Sequence, residues 1–179
     1  MKSGYRRSHK STIAVISSAQ DLTSYLFQIT NNDKNFPKVL RYTLVTDIRN
    51  TCLTLNKSLA KATQIKARHK KEWKQKLKHI ISARDAFIDL KTLLAISAKV
   101  ANIKKPEHLA KLLTAVADDM STWINHEKRI NANLPSKKDY DKKHTEEIAW
   151  RKAWLSHPRD ENGFIHLQWK HGNLIVEKI

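Results

Sequence analysis

Apolar residues recur along this chain at three-to-four spacing in four successive stretches, the pattern of helices that bury one face. Ile16, Leu22, Tyr25, Leu26 and Ile29 mark a first helix over about residues 14–31. The run Asn31-Asn32-Asp33-Lys34-Asn35 breaks it, and Pro37 then suits a first helical turn, where its missing N–H costs nothing. From there Leu40, Leu44, Ile48, Leu55, Leu59 and Ala62 form one stripe. No Gly or Pro interrupts 38–103, a span too long for one globular helix. A tight turn is therefore expected within 63–70, where the stripe lapses into Gln64, Lys66, Arg68, His69, Lys70 and Lys71. A third helix over 71–100 would bury Trp73, Leu77, Ile80, Ile81, Phe87, Leu90 and Leu94. Lys104, Lys105 and Pro106 separate it from a fourth over 106–130, carrying Leu109, Leu112, Leu113, Val116, Met120, Trp123 and Ile124. Four such stripes joined by short connections predict an all-α fold, an antiparallel up-down-up-down four-helix bundle over 13–130.

The flanks read differently. Residues 1–12, with Lys2, Arg6, Arg7 and Lys10, are expected to be a basic disordered arm. Residues 131–147 are polar and read as a linker, and 148–179 as a C-terminal docking extension. Within it, 148–155 would make a short amphipathic helical turn, and Phe164–Trp169 and Leu174–Glu177 two strands of a hairpin around His171-Gly172-Asn173. An isolated hairpin is marginal in water, so this one should dock on its own bundle or on a partner.

Composition narrows the class. Three Gly and four Pro supply too little turn chemistry for a many-stranded β fold. A single cysteine, Cys52, excludes an intramolecular disulfide and a Cys-rich zinc site. No apolar run approaches the roughly 18 residues of a membrane span, and Ile13–Ile16 is too short for the core of a signal peptide. The expectation is a cytoplasmic protein without a membrane partner.

Charge changes the picture most. Against 17 Asp+Glu stand 34 Lys+Arg, a net charge of +17. Nucleic acid is the leading partner for such a surplus, because each neutralised phosphate releases condensed counterions. Lys66, Arg68, Lys70, Lys71, Lys74, Lys76 and Lys78 crowd one short stretch with Glu72 as the one acid among them. A helix starting there carries the wrong charge for its own dipole, which favours phosphate contact over a merely solvated face. Lys38, Arg41, Arg49, Lys57 and Lys61 form a looser second set. The candidate nucleic-acid-binding residues are thus Lys38, Arg41, Arg49, Lys57, Lys61, Lys66, Arg68, Lys70, Lys71, Lys74 and Lys78. Aromatics among them are sparse, which points to tracking of the phosphate backbone rather than reading of bases.

Catalytic chemistry is not legible. The chain has neither a phosphate-binding Gly-rich loop nor a His-Glu-x-x-His motif. Its nine histidines are scattered; His166 and His171 come closest to a pair but lack a neighbouring Cys. Asp118 and Asp119 are adjacent on a helix, so their side chains diverge by about 100°. Cys52 sits among apolar residues and reads as an inert buried thiol. No catalytic residue, metal ligand or cofactor is assigned, and the expectation is that the protein is not an enzyme.

At the second helix Phe36-Pro37-Lys38-Val39-Leu40-Arg41-Tyr42-Thr43-Leu44, followed by Asp47-Ile48, resembles a Phe-Pro-x-x-x-Arg-Phe/Tyr-Thr-Leu signature. That signature belongs to the four-helix-bundle family comprising the accessory variability determinant of diversity-generating retroelements and the 23S ribosomal RNA intervening-sequence proteins. Leu90 to Ile103 and Leu109 to Ile124 resemble that family's third-helix end and fourth helix, so the likeness covers about residues 15–130. It implies a homopentamer of four-helix bundles that binds a reverse transcriptase and structured template RNA, with DNA or an RNA/DNA hybrid as alternative ligands. In that scheme the chain supports mutagenic cDNA synthesis without catalysing it, and Arg41 matches the motif arginine. The alternative within the same family is a stand-alone RNA-binding bundle with no polymerase partner. The extension has no counterpart in the family, and Trp150, Trp154 and Trp169 are its expected docking anchors.

Overall fold

A computed structural model describes residues 3–103, 105–156, 167–170 and 173–176, and the side chains of 12–103, 105–152, 154 and 155. Five helices follow one another: α1 (Ser3–Thr30), α2 (Thr46–Gln64), α3 (Lys70–Val100), α4 (Pro106–Ala132) and α5 (Lys137–Ser156). Two short strands, β1 (Leu167–Lys170) and β2 (Asn173–Val176), pair antiparallel with Leu167 opposite Val176 and Lys170 opposite Asn173. The chain divides into two units, Met1–Leu134 and Pro135–Ile179.

In the first unit α1 packs against α2 and α4, α2 against α3, and α3 against α4. The buried positions explain why. They run Val15, Ala19, Leu22, Leu26, Ile29 on α1 and Ile48, Cys52, Leu55, Leu59, Ala62 on α2. Both rows alternate steps of four and three, the spacing that keeps a seam facing its neighbours over many turns. On α3 the row is Trp73, Lys76, Ile80, Ala83, Phe87, Leu90, Leu94, Ser97, and on α4 it ends Val116, Met120, Trp123, Glu127.

Four expectations change. Ile81 is 49% exposed, because the seam passes through Ile80 and Ala83 and turns Ile81 to the outside. The first helix starts at Ser3, so residues 3–12 extend α1 rather than forming a disordered arm. The expected linker 131–147 is largely helical: α4 runs to Ala132 and α5 begins at Lys137. The short turn expected at 148–155 is the end of that same 20-residue helix. Phe164–His166, His171 and Glu177 lie outside the described residues, as does the Trp169 side chain.

The signature segment builds the entry to α2. Phe36 is fully buried, and Asn35 beside it accepts from the Asn102 N–H at 2.9 Å while donating to the Ile29 carbonyl at 3.3 Å. Pro37 then precedes a single 3₁₀ turn, Lys38–Leu40, and a π-helical turn, Arg41–Val45. Thr46 Oγ1 donates to the Arg41 carbonyl at 2.7 Å, tying off that wide turn. Between α3 and α4, Lys105 takes a left-handed φ of 58°, which reverses the chain without a glycine.

A polar net joins α1 to α2. Asn56 Nδ2 donates to Thr23 Oγ1 at 2.7 Å, and Thr23 Oγ1 donates to the Ala19 carbonyl at 2.8 Å. Beside it, burial pushes the Cys52 thiol from its ordinary 9.0 up to about 11, partly offset by a hydrogen bond with Thr23. Stability from this shift is full below pH 9.0 and is lost as pH rises through about 11, because the unfolded thiol ionises first. The native protein should therefore resist thiol alkylation at pH 8 and react promptly in denaturant, a difference readable by intact-mass spectrometry.

Candidate nucleic-acid interface

The eleven basic candidates do not share one surface. Lys38 and Arg41 lie in the 3₁₀ and π-helical turns that lead into α2 and Arg49 in its first turn; Lys57, Lys61, Lys66, Arg68, Lys70, Lys71, Lys74 and Lys78 cluster where α2 ends and α3 begins. The first three are engaged internally. Arg41 Nη2 bonds to Asp33 Oδ1, and Lys38 Nζ lies 3.9 Å from Asp33 Oδ2. Arg49 donates to Thr30 Oγ1 at 3.0 Å and to Asn31 Oδ1 at 3.2 Å, with its guanidinium 5.2 Å from the centre of the Phe27 ring. These side chains stitch α2 to the end of α1.

The other eight are all exposed, and none forms an ion pair among the described residues. The connection that presents them, residues 65–69, is held by a reciprocal cap. His69 Nδ1 accepts from the Glu72 N–H at 3.3 Å, while Glu72 Oε2 accepts from the Arg68 N–H at 2.8 Å. Two orphan donors are satisfied in this way, and a carboxylate is placed in the first turn, where the helix dipole favours it.

Lys76 leaves the basic set. It is 8% exposed, and its Nζ donates to Glu127 Oε1 at 2.6 Å, with Glu127 itself 4% exposed. That buried bond fastens the end of α4 to the start of α3 and brings Lys128 and Arg129, both exposed, to the same end. Sequence reading missed these two, since they stand far along the chain from the Lys66–Lys78 cluster. The signal that could have found them is Glu127 in register with the α4 seam, a charge that requires an opposite one. Among the described residues of the first unit, the acids at this end, Glu72 and Glu127, are thus spent on the fold. The positive field of the surrounding lysines and arginines is left without an internal counterweight.

Charge is divided unequally between the units. Residues 1–134 hold 25 of the 34 Lys+Arg and 10 of the 17 Asp+Glu, a net of +15, leaving +2 for 135–179. In the second unit Ser136 caps α5, accepting from the Asp139 N–H at 3.2 Å and donating to Asp139 Oδ2 at 2.6 Å. None of the described α5 side chains is buried. Tyr140 stacks on His144, and Trp150 on Trp154, with ring centroids 5.8 and 5.4 Å apart. At 100° per residue, Tyr140, His144, Ile148, Trp150, Trp154 and Leu155 fall within an arc of about 160°. The same arc also holds Lys143, Glu147 and Arg151, so the rings sit among charges on that side of the helix, with Trp150 59% exposed.

No group of three or more His, Cys, Asp or Glu capable of holding a metal occurs among the described residues. No helix among them is long and apolar enough to cross a membrane. No protein-family model matches the chain, and no curated protein matches it.

Proposed function

We propose that this chain is a non-catalytic RNA-binding bundle whose α2–α3 end grips phosphates and whose second unit docks a protein partner. The observation that carries the reading is the set of eight exposed, unpaired cations at one end, where both acids are occupied by the fold. Such a surface suits phosphate backbone rather than base edges. An up-down-up-down arrangement is supported by the contacts. Thr30 meets Arg49 while Thr23 meets Asn56, so α1 and α2 run oppositely, and Lys76 near the start of α3 meets Glu127 near the end of α4.

The second unit, which has no counterpart in the family that the sequence resembles, is proposed as a docking element on its own chemistry. The partner proposed is a reverse transcriptase, on the strength of the Phe36–Leu44 signature in the first unit. Its motif residues Phe36 and Arg41 hold structural posts, one as a core plug and the other on Asp33, consistent with a signature that encodes the bundle. The near-balanced charge of residues 135–179 and the stacked rings of α5 suit a protein surface better than phosphate. In the cell the protein would hold template RNA against the polymerase during cDNA synthesis.

The test is affinity capture of the tagged protein from its native cell, with and without ribonuclease. Recovery of a reverse transcriptase with one dominant non-coding RNA is expected. Ribosomal or mixed RNA without a polymerase would instead establish a stand-alone binder. Trp150→Ala with Trp154→Ala should lose the polymerase by tenfold or more while changing RNA affinity less than threefold, since truncating buried aromatic anchors costs on the order of 2 kcal/mol or more.

A further inference from the structure

α2 and α3, joined by residues 65–69 and packed side by side, share one outer face. The Ser58 and Ser82 hydroxyl oxygens lie 3.0 Å apart and mark the line along which the two helices touch. At 100° per residue, Asp47, Asn50, Thr54, Lys57 and Lys61 fall within an arc of about 80° beside Ser58. On α3, Lys71, Gln75, Lys78, Asp85 and Asp89 fall within an arc of about 80° around Ser82, with Lys74 about 20° outside it. Apart from the two serines, all of these are exposed. Charge is sorted along the face: the lysines stand toward the 65–69 connection, and Asp47, Asp85 and Asp89 toward the opposite end. None of the three carboxylates is in an ion pair among the described residues. Rings are missing from the basic half, since Trp73 and His69, the ring-bearing residues within 57–78, are 6% and 7% exposed.

We infer that this face binds double-stranded RNA, seated across α2 and α3 on Lys57, Lys61, Lys71, Lys74 and Lys78 and stopped by the carboxylates beyond. The inference rests on the RNA-binding reading above and narrows its ligand. Proteins that hold single strands stack the unpaired bases on exposed rings, and the basic half of this face presents none. A duplex stacks its own bases and shows the protein phosphates, sugars and groove edges. Two rows of lysines, on helices whose axes lie roughly 8–10 Å apart, suit the two phosphate strands that border the wide, shallow minor groove of an A-form helix. Gln75 stands between Lys71 and Lys78 on the side turned to α2, where its amide can bond a 2′-hydroxyl. That bond separates RNA from a DNA duplex of the same charge. Asp85 follows Lys78 by seven residues, about 10 Å of helix. A duplex laid along α3 would set its phosphates against Asp85 and Asp89; one that crosses the two helices avoids them.

Fluorescence anisotropy of the full chain tests this with three probes: an RNA duplex of about 16 base pairs, one of its strands, and the DNA duplex of the same sequence. The RNA duplex is expected to bind about tenfold or more tighter than the strand and about threefold or more tighter than the DNA. Gln75→Ala should erase the preference over DNA while leaving DNA affinity within about twofold. Asp85→Lys with Asp89→Lys should tighten the RNA duplex about tenfold or more and steepen the log–log salt slope by about 2. The same charge change at Asp21 and Asp118, exposed on α1 and α4, should shift affinity less than about threefold. All five positions are exposed, so the circular dichroism of each variant should match the parent. A strand bound as tightly as the duplex, a DNA duplex bound equally by the parent, or indifference to the Asp85 and Asp89 swaps overturns the inference and leaves an RNA-binding bundle in place. Failure to bind any of the three probes overturns the RNA-binding reading and the inference with it.

Discussion

Replacing Glu127 with Ala is expected to cost about 3–5 kcal/mol of folding stability, the usual result of stranding one member of a buried ion pair. Lys76 is 8% exposed and its ammonium has that carboxylate 2.6 Å away. Without it the ammonium must swing out through packed neighbours or stay unpaired in a poor solvent. Trp123, one turn earlier on α4, is fully buried with no partner for its indole N–H among the described residues. Urea denaturation followed by circular dichroism measures the loss. The pair Lys76→Met with Glu127→Leu should recover most of it, since apolar replacement of a buried pair is often neutral or stabilising. A loss below about 1 kcal/mol for Glu127→Ala would mean that the pair behaves as a surface contact.

Reversing Lys70, Lys71, Lys74 and Lys78 to Glu should remove most RNA affinity without harming the fold. The four are exposed in the first turns of α3, where acids complement the helix dipole and bases oppose it, so stability should hold or rise slightly. If the parent neutralises about six phosphates, log affinity falls with log salt at a slope near −5 for a duplex, and losing four contacts flattens it to about −2. Fluorescence anisotropy across salt concentrations reads both affinity and slope. The contrasting pair, Lys38→Glu with Arg41→Glu, should change affinity less than tenfold, because these side chains are committed to Asp33 at the other end of α2. Equal losses from the two sets would mean that binding follows total charge and not this end of the bundle. A salt-independent affinity in the parent would remove the phosphate reading altogether.

Much of the fold was legible because a helix writes its buried face into the chain at a local period. Leu22, Leu26 and Ile29, or Val116, Met120 and Trp123, announce their seams within two turns, and Asn31–Asn35 and Pro106 mark breaks through their own backbone chemistry. The lapse of that period predicts the α2–α3 turn within 63–70, and the helices stop at Gln64 and resume at Lys70. Local pattern misled where a polar residue occupied a seam. Lys76 reads as one more surface lysine, and Ile81 as core, until the row Trp73, Lys76, Ile80, Ala83 is seen to be continuous. α5 was missed for the opposite reason: its charges mask the spacing of its rings, although the Ser136-x-x-Asp139 cap was there to be read.

Composition and spacing over a few residues suffice for the helical class, the four apolar seams, the positive surplus and the crowding of bases near Lys70. Tertiary structure alone decided which charges remain available. It set Asp33 against Lys38 and Arg41, joined Lys76 to a carboxylate 51 residues away, and carried Lys128 and Arg129 to the basic end. Those pairings follow from how seams meet in space, and the partner of a buried charge is chosen by the neighbouring helix, which no local period encodes.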